Sequence, residues 1–149
     1  CDDDGDPDVD DAFDVDEAGL GSILGRAVNL TVINNFDEGL DFDEEDAGGV
    51  DLDAVGIYSE NNEDEGIKVS EEDDGSNVVR MRKVTTDGDL EFEEDGDGIA
   101  DISINGSFVG DDMQIEADDG DPGTIDGFYK ERGTTVVGDL DFEGNIIIL

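Results

Sequence analysis

No histidine and no tryptophan occur in this chain, and one cysteine, two prolines and three lysines are all it has of those residues among 149. Without histidine a Ser-His or Cys-His nucleophile cannot be built, nor can c-type haem be ligated. With a single thiol besides, a transition-metal site has no ligand set, and an internal disulfide has no second half. Aromatic residues make up 6% of the sequence, too few to line a sugar subsite, and among 46 acids a pair of carboxylates says nothing about acid–base chemistry. Glycine-rich phosphate loops and dinucleotide fingerprints are missing, as is any apolar run near the ~20 residues that span a bilayer. The chain reads as a non-enzyme without a transmembrane segment.

What it has is acid. Forty-six Asp and Glu against seven Lys and Arg give a formal net charge of −39. Such a chain stays compact only where concentrated salt shortens the Debye length or divalent cations sit between carboxylates. Nucleic acid and anionic lipid surfaces are poor partners, because binding would bring like charges together. Aspartate is the preferred acid, which together with the scarcity of lysine suits saline surroundings.

The apolar share of 35% is low for a globular protein. Pattern overrules composition, because apolar residues fall into strand-length runs such as Val28-Asn29-Leu30-Thr31-Val32-Ile33 and Asp101-Ile102-Ser103-Ile104, separated by Gly, Asp and Asn clusters of turn type. Laid over itself, the chain aligns Leu40-Asp41-Phe42, Leu90-Glu91-Phe92 and Leu140-Asp141-Phe142 at intervals of 50 residues. Val50-Asp51-Leu52 then falls opposite Ala100-Asp101-Ile102, Gly56 opposite Gly106, and Tyr58 opposite Phe108. In each copy a strand puts Leu and Phe on one face and acids on the other. The expected fold is all-β: an antiparallel β-sandwich or barrel of ~50-residue meander repeats. An acidic N-terminal tail over 1–17 precedes a single β domain over 18–149. Residues 17–28 carry apolar positions at 20, 23, 24, 27 and 28, a helical stripe weakened by three glycines, and so predict a short helical turn or an irregular packed segment.

Cys1 followed by Asp2-Asp3-Asp4-Gly5-Asp6-Pro7-Asp8 resembles the start of a mature lipoprotein, with Cys1 as the lipid attachment point and the acidic run as tether. Glu93-Glu94-Asp95-Gly96-Asp97-Gly98-Ile99-Ala100-Asp101 resembles the calcium loops of thrombospondin type 3 and dockerin repeats. That resemblance implies calcium held by the side chains of Glu93, Asp95, Asp97 and Asp101 and the carbonyl of Ile99, with Ile104 standing where an EF-hand would have its bidentate Glu. Weaker acidic candidates are Asp4, Asp6, Asp8 and Asp10, and Asp118, Asp119 and Asp121. Arg80 and Arg82 share one face of a strand and are expected to pair with carboxylates, within the sheet or on an adjoining molecule. Gly127-Phe128-Tyr129 followed by Val136-Val137-Gly138-Asp139-Leu140-Asp141-Phe142 resembles the closing hairpin of the barrel domains in transferrin-binding-protein-B-like surface lipoproteins, although Lys130-Glu131 replaces the usual Gly-Pro. It implies capture of a ligand or host protein.

Ile146-Ile147-Ile148-Leu149 is a bare apolar strand able to complete a neighbour's sheet. Together these features predict an extracellular or cell-surface structural protein that assembles with copies of itself as a filament or surface layer, stabilised by cations. The alternative is a lipid-anchored monomeric module that binds a ligand or a partner protein.

Overall fold

The computed structural model describes residues 11–73, 75–117 and 124–149. Cys1 and the acidic runs at Asp4–Asp10 and Asp118–Asp121 lie outside the described residues. Among the described residues strands alone form the regular structure, and they come in turns of three. The first turn is β1 (Asp14–Gly19), β2 (Ile23–Val28) and β3 (Thr31–Ile33). The second is β4 (Asp41–Asp46), β5 (Val50–Val55) and β6 (Tyr58–Glu60), and the third is β7 (Ile67–Asp73), β8 (Asn77–Arg82) and β9 (Thr85–Thr86). Then follow β10 (Leu90–Gly96), β11 (Ala100–Asn105) and β12 (Phe108–Val109), and β13 (Met113–Ala117), β14 (Gly127–Arg132) and β15 (Thr135–Val136). A last two-sided coil is made by β16 (Leu140–Glu143) and β17 (Ile146–Ile148).

Each strand pairs with the strand one coil away, always in parallel, so the chain winds a three-sided β-solenoid of about five turns. The first side stacks β1-β4-β7-β10-β13-β16, the second β2-β5-β8-β11-β14-β17, and the third β3-β6-β9-β12-β15. The antiparallel sandwich or barrel expected from sequence is therefore overturned. Alternation of apolar and acidic residues is common to both architectures, because it reflects one buried face per strand and not the direction of the neighbour. The acidic glycine turns are corners between sides, not hairpins.

The register explains the repeat. Asp14, Asp41, Lys68, Glu91, Gln114 and Asp141 stack on one another, so successive coils advance by 27, 27, 23, 23 and 27 residues. Fifty residues are two coils, one long and one short. The copies at Leu40, Leu90 and Leu140 are alternate rungs of one sheet, with Ile67 and Met113 in the rungs between.

Inside the prism, equivalent residues lie one above another. Val15, Phe42, Val69, Phe92, Ile115 and Phe142 form one column on the first side, and Leu52, Val79, Ile102 and Tyr129 one on the second. Phe92, Val69, Val79 and Ile102 are fully buried. Each coil is too small to enclose a core alone and becomes stable by stacking. The segment over 17–28 is the end of β1, a corner and β2, with Ile23 inward and Leu20 and Leu24 outward at 92% and 80% exposure; the helical expectation fails there.

The corner between the second and third sides takes one left-handed residue per coil. Asn29, Gly56, Lys83, Gly106 and Gly133 have φ of 52°, 68°, 56°, 61° and 67°. Their amides continue the ladder across the corner, as from Gly56 to the Arg82 carbonyl (2.9 Å) and from Lys83 to that of Asn105 (2.9 Å).

Candidate functional site

Strand alternation puts half of every strand outside, and on the first side that half is carboxylate. Asp16, Asp43, Ser70, Glu93, Glu116 and Glu143 form one outer row, and the stack from Asp14 to Asp141 forms its neighbour. Lys68 is the one base in these rows, 3.3 Å from Glu93. Coils rise by about 4.8 Å, so like charges are held close in register. Burial, then repulsion from Asp43, pushes the Asp41 carboxyl up to about 6. Burial, then Glu93, pushes Glu91 up to about 7.

At the corner between the third and first sides, acids gather in threes: Asp11, Asp37 and Glu38; Asp11, Asp14 and Asp41; Asp89, Asp111 and Asp112. Within each group one carboxylate oxygen per residue lies within 4.8 Å of the others, a spacing that can hold a metal ion. Several of these acids also tie coils together. Asp89 accepts the Asp112 amide (3.0 Å), Asp112 accepts the Asp139 amide (2.7 Å), and Asp11 accepts the Glu38 amide (3.1 Å).

A fourth group of acids is inside. Glu17, Glu44, Glu71 and Glu94 stack in register on the inward face of the first side, and the column ends at Ala117. Glu44, Glu71 and Glu94 are fully buried, and Glu17, in the first coil, is half-buried. None of the seven basic residues is buried, so no basic side chain is enclosed with this column. Neither oxygen of Glu44 or Glu71 meets an N–H or O–H donor; carboxyl faces carboxyl, and a hydrogen bond along the column exists only where one of a pair keeps its proton. Burial, with Glu94 and Glu44 as neighbours, pushes Glu71 up to about 8, and burial raises Glu44 as well.

Glycine makes the room. Four residues after each inward glutamate stands a corner glycine, Gly21, Gly48, Gly75 or Gly98, whose added Cβ would overlap that glutamate's carboxylate. At Gly48, Gly75 and Gly98 the same Cβ would also overlap the carbonyl oxygen of the glycine one coil back. Carboxylate and carbonyl oxygens thus converge on one narrow channel.

The loop at 93–101 is spread around this corner. Glu93 and Asp95 point outward from β10, Asp97 and Ile99 are exposed in the corner, and Asp101 is exposed on β11. The acid of that loop which reaches the interior is Glu94, between Glu93 and Asp95. Arg80 and Arg82 bind within the chain, to Asp51 (2.6 Å) and Asp53 (2.8 Å), and Arg26 lies 3.6 Å from Asp53. The two segments of the C-terminal resemblance fall on different sides, β14 against β11 and β17, and β16 against β13. Ile146 packs against the core from β17, while Ile147, Ile148 and Leu149 are exposed. β1 begins at Asp14, inside the segment assigned to the tail. The sequence signal for the inner column was a Glu followed by Gly at the fourth position, recurring at the coil interval.

Among the described residues, no helix is long and apolar enough to cross a membrane. The chain matches no family model, and neither a curated protein nor a solved structure is significantly similar to it.

Proposed function

We propose that this chain is a structural protein of saline extracellular or cell-surface settings that stacks head to tail with copies of itself, its acids bridged by cations, calcium foremost. The observation carrying this reading is that the described solenoid finishes in unpaired strands at both ends. β1, β2 and β3 have no outer neighbour among the described residues at one end, nor do β15, β16 and β17 at the other. Parallel strands give these two ends opposite polarity, so the second end of one copy complements the first end of the next, a heterologous contact that propagates. Both ends are apolar. Phe13, Leu24 and Val28 are exposed around the first, and Val137, Ile148 and Leu149 around the second.

Across such a joint, Asp141 and Glu143 of one copy stack near Asp14 and Asp16 of the next, repeating the acid-on-acid spacing found within the chain. Salt or calcium is therefore required for the contact. Sedimentation velocity in about 2 M KCl with calcium tests it, since surface repulsion is screened within ~2 Å there. Wild type forms oligomers that grow with concentration, and Leu24→Lys with Ile148→Lys, both at exposed positions, gives a folded monomer. A wild type that stays monomeric, or oligomers that survive both substitutions, contradicts stacking.

One observation favours the monomeric binding module instead: a groove of about 540 Å³ at the first end, lined by Phe13, Val15, Leu24, Phe42 and Leu52 among others. On that reading the groove holds an apolar ligand, and an apolar fluorophore binds to the monomer and is displaced by Leu24→Lys.

A further inference from the structure

We infer that the column Glu17–Glu44–Glu71–Glu94 is a line of binding sites for a calcium-sized divalent cation, threaded inside the first corner of the solenoid. This deepens the cation dependence of the reading above and is independent of stacking.

Charge comes first. Buried carboxylates facing one another with no internal base are strongly unfavourable as ions, and each oxygen needs a donor or a metal. Glu44 and Glu71 are wholly buried, and their four oxygens have no donor other than a neighbouring carboxyl of the column that keeps its proton. Carbonyl oxygens of Gly21, Gly48 and Gly75 crowd the same channel, which adds acceptors and no donors. A set made only of oxygen acceptors is what a hard cation requires.

Spacing selects the ion. The backbone advances about 4.8 Å per coil, which lets the flexible glutamate side chains close on a cation between them, and the larger, more adaptable oxygen shell of calcium suits such a column better than the rigid octahedron magnesium demands. Stacked carboxylates can chelate on both edges, and the corner carbonyl supplies a further ligand. Between Glu17 and Glu44, Glu44 and Glu71, and Glu71 and Glu94 the column offers three such intervals.

The column also has a way in. Glu17 lines the groove at the first end of the solenoid, so an ion can be taken up there and passed inward. At the far end Ala117 replaces the acid and closes the line.

The test is calcium titration of EDTA-stripped protein in about 2 M KCl, where binding to the outer acids is screened, with sedimentation run in parallel to report assembly separately. Wild type gains at least about 5 °C in Tm at saturating calcium and less with magnesium. Glu44→Gln with Glu71→Gln, an isosteric pair that can bond amide to amide, loses most of that gain whether or not the protein stacks. An unchanged calcium response in this variant overturns the proposal. So does a wild type that is equally stable with and without calcium, because the column is then a chain of protonated carboxyls. Should the variant fail to fold, infrared spectra of the stripped wild type decide: the protonated-carboxyl band must shrink on adding calcium, and a band that calcium leaves unchanged overturns the proposal.

Discussion

Glu71 is surrounded by its own kind, with Glu44 and Glu94 as stacked neighbours and Asp73 close by, and its titration sets a pH dependence with a definite sign. An unfolded glutamate titrates near 4.3, whereas burial, then Glu94 and Glu44, hold Glu71 at about 8 in the fold. The native state binds the proton more tightly, so the stabilisation is complete below about 4.3 and lost as pH rises through about 8. Glu44, whose neighbours are Glu17, Glu71 and Asp46, shifts the same way, as do Asp41 and Glu91 on the outer face. Metal-free protein in concentrated salt should therefore melt at progressively lower temperature between about pH 5 and pH 8.5. Calcium should flatten that decline. Thermal melts followed by circular dichroism check it, and a Tm rising over the same interval contradicts the assignment. The inner column is half-legible in the sequence: Glu94 lies within the loop that resembles a calcium site, but the side that faces inward depends on which apolar residues, Phe92 here, are buried. The odd-numbered acids Glu93 and Asp95 lie on the opposite, outward face of β10.

At the scale of elements, corners decide more than strands do. Strand positions were visible from alternation, as at Leu90-Glu91-Phe92 and Ala100-Asp101-Ile102, and these are β10 and β11. Direction was hidden, because nothing local distinguishes a corner such as Asp95-Gly96-Asp97-Gly98 from a hairpin turn. The distinguishing sign was at longer range: 27- and 23-residue coils average to half of the 50-residue repeat that was seen. The left-handed corner column gives an element-level prediction. Lys83 alone carries a long side chain there, at φ 56°, between Gly56 and Gly106 in the adjoining coils. A non-glycine residue in this conformation costs about 1–2 kcal/mol, partly offset by the backbone freedom glycine brings to the unfolded chain. Lys83→Gly should therefore raise stability by about 0.5–1 kcal/mol, read as a shift in the denaturation midpoint with unchanged slope. A lower midpoint would mean that the Lys83 side chain contributes more than its backbone costs.

The whole molecule is a prism whose charge is arranged in lines. Outer acids repeat along the axis at the coil rise, corner acids accept amides from the next coil, and inner glutamates run beside the core, so repulsion is directed along the stacking axis. Arg80 and Arg82 relieve it only locally, since exposed pairs with Asp51 and Asp53 contribute less than about 1 kcal/mol each. Added cations must supply the rest. That demand, read from composition alone, is what connects the sequence to the proposed assembly, and the common direction of the parallel strands gives the assembly its polarity. The most direct test of that account is electron cryo-microscopy of the protein concentrated in high salt and calcium. It predicts filaments whose β-strands lie across the axis at a continuous ~4.8 Å repeat, passing from the β16–β17 end of one copy into the β1–β2 end of the next. Isolated prisms, or copies joined side by side through their outer faces, would contradict it.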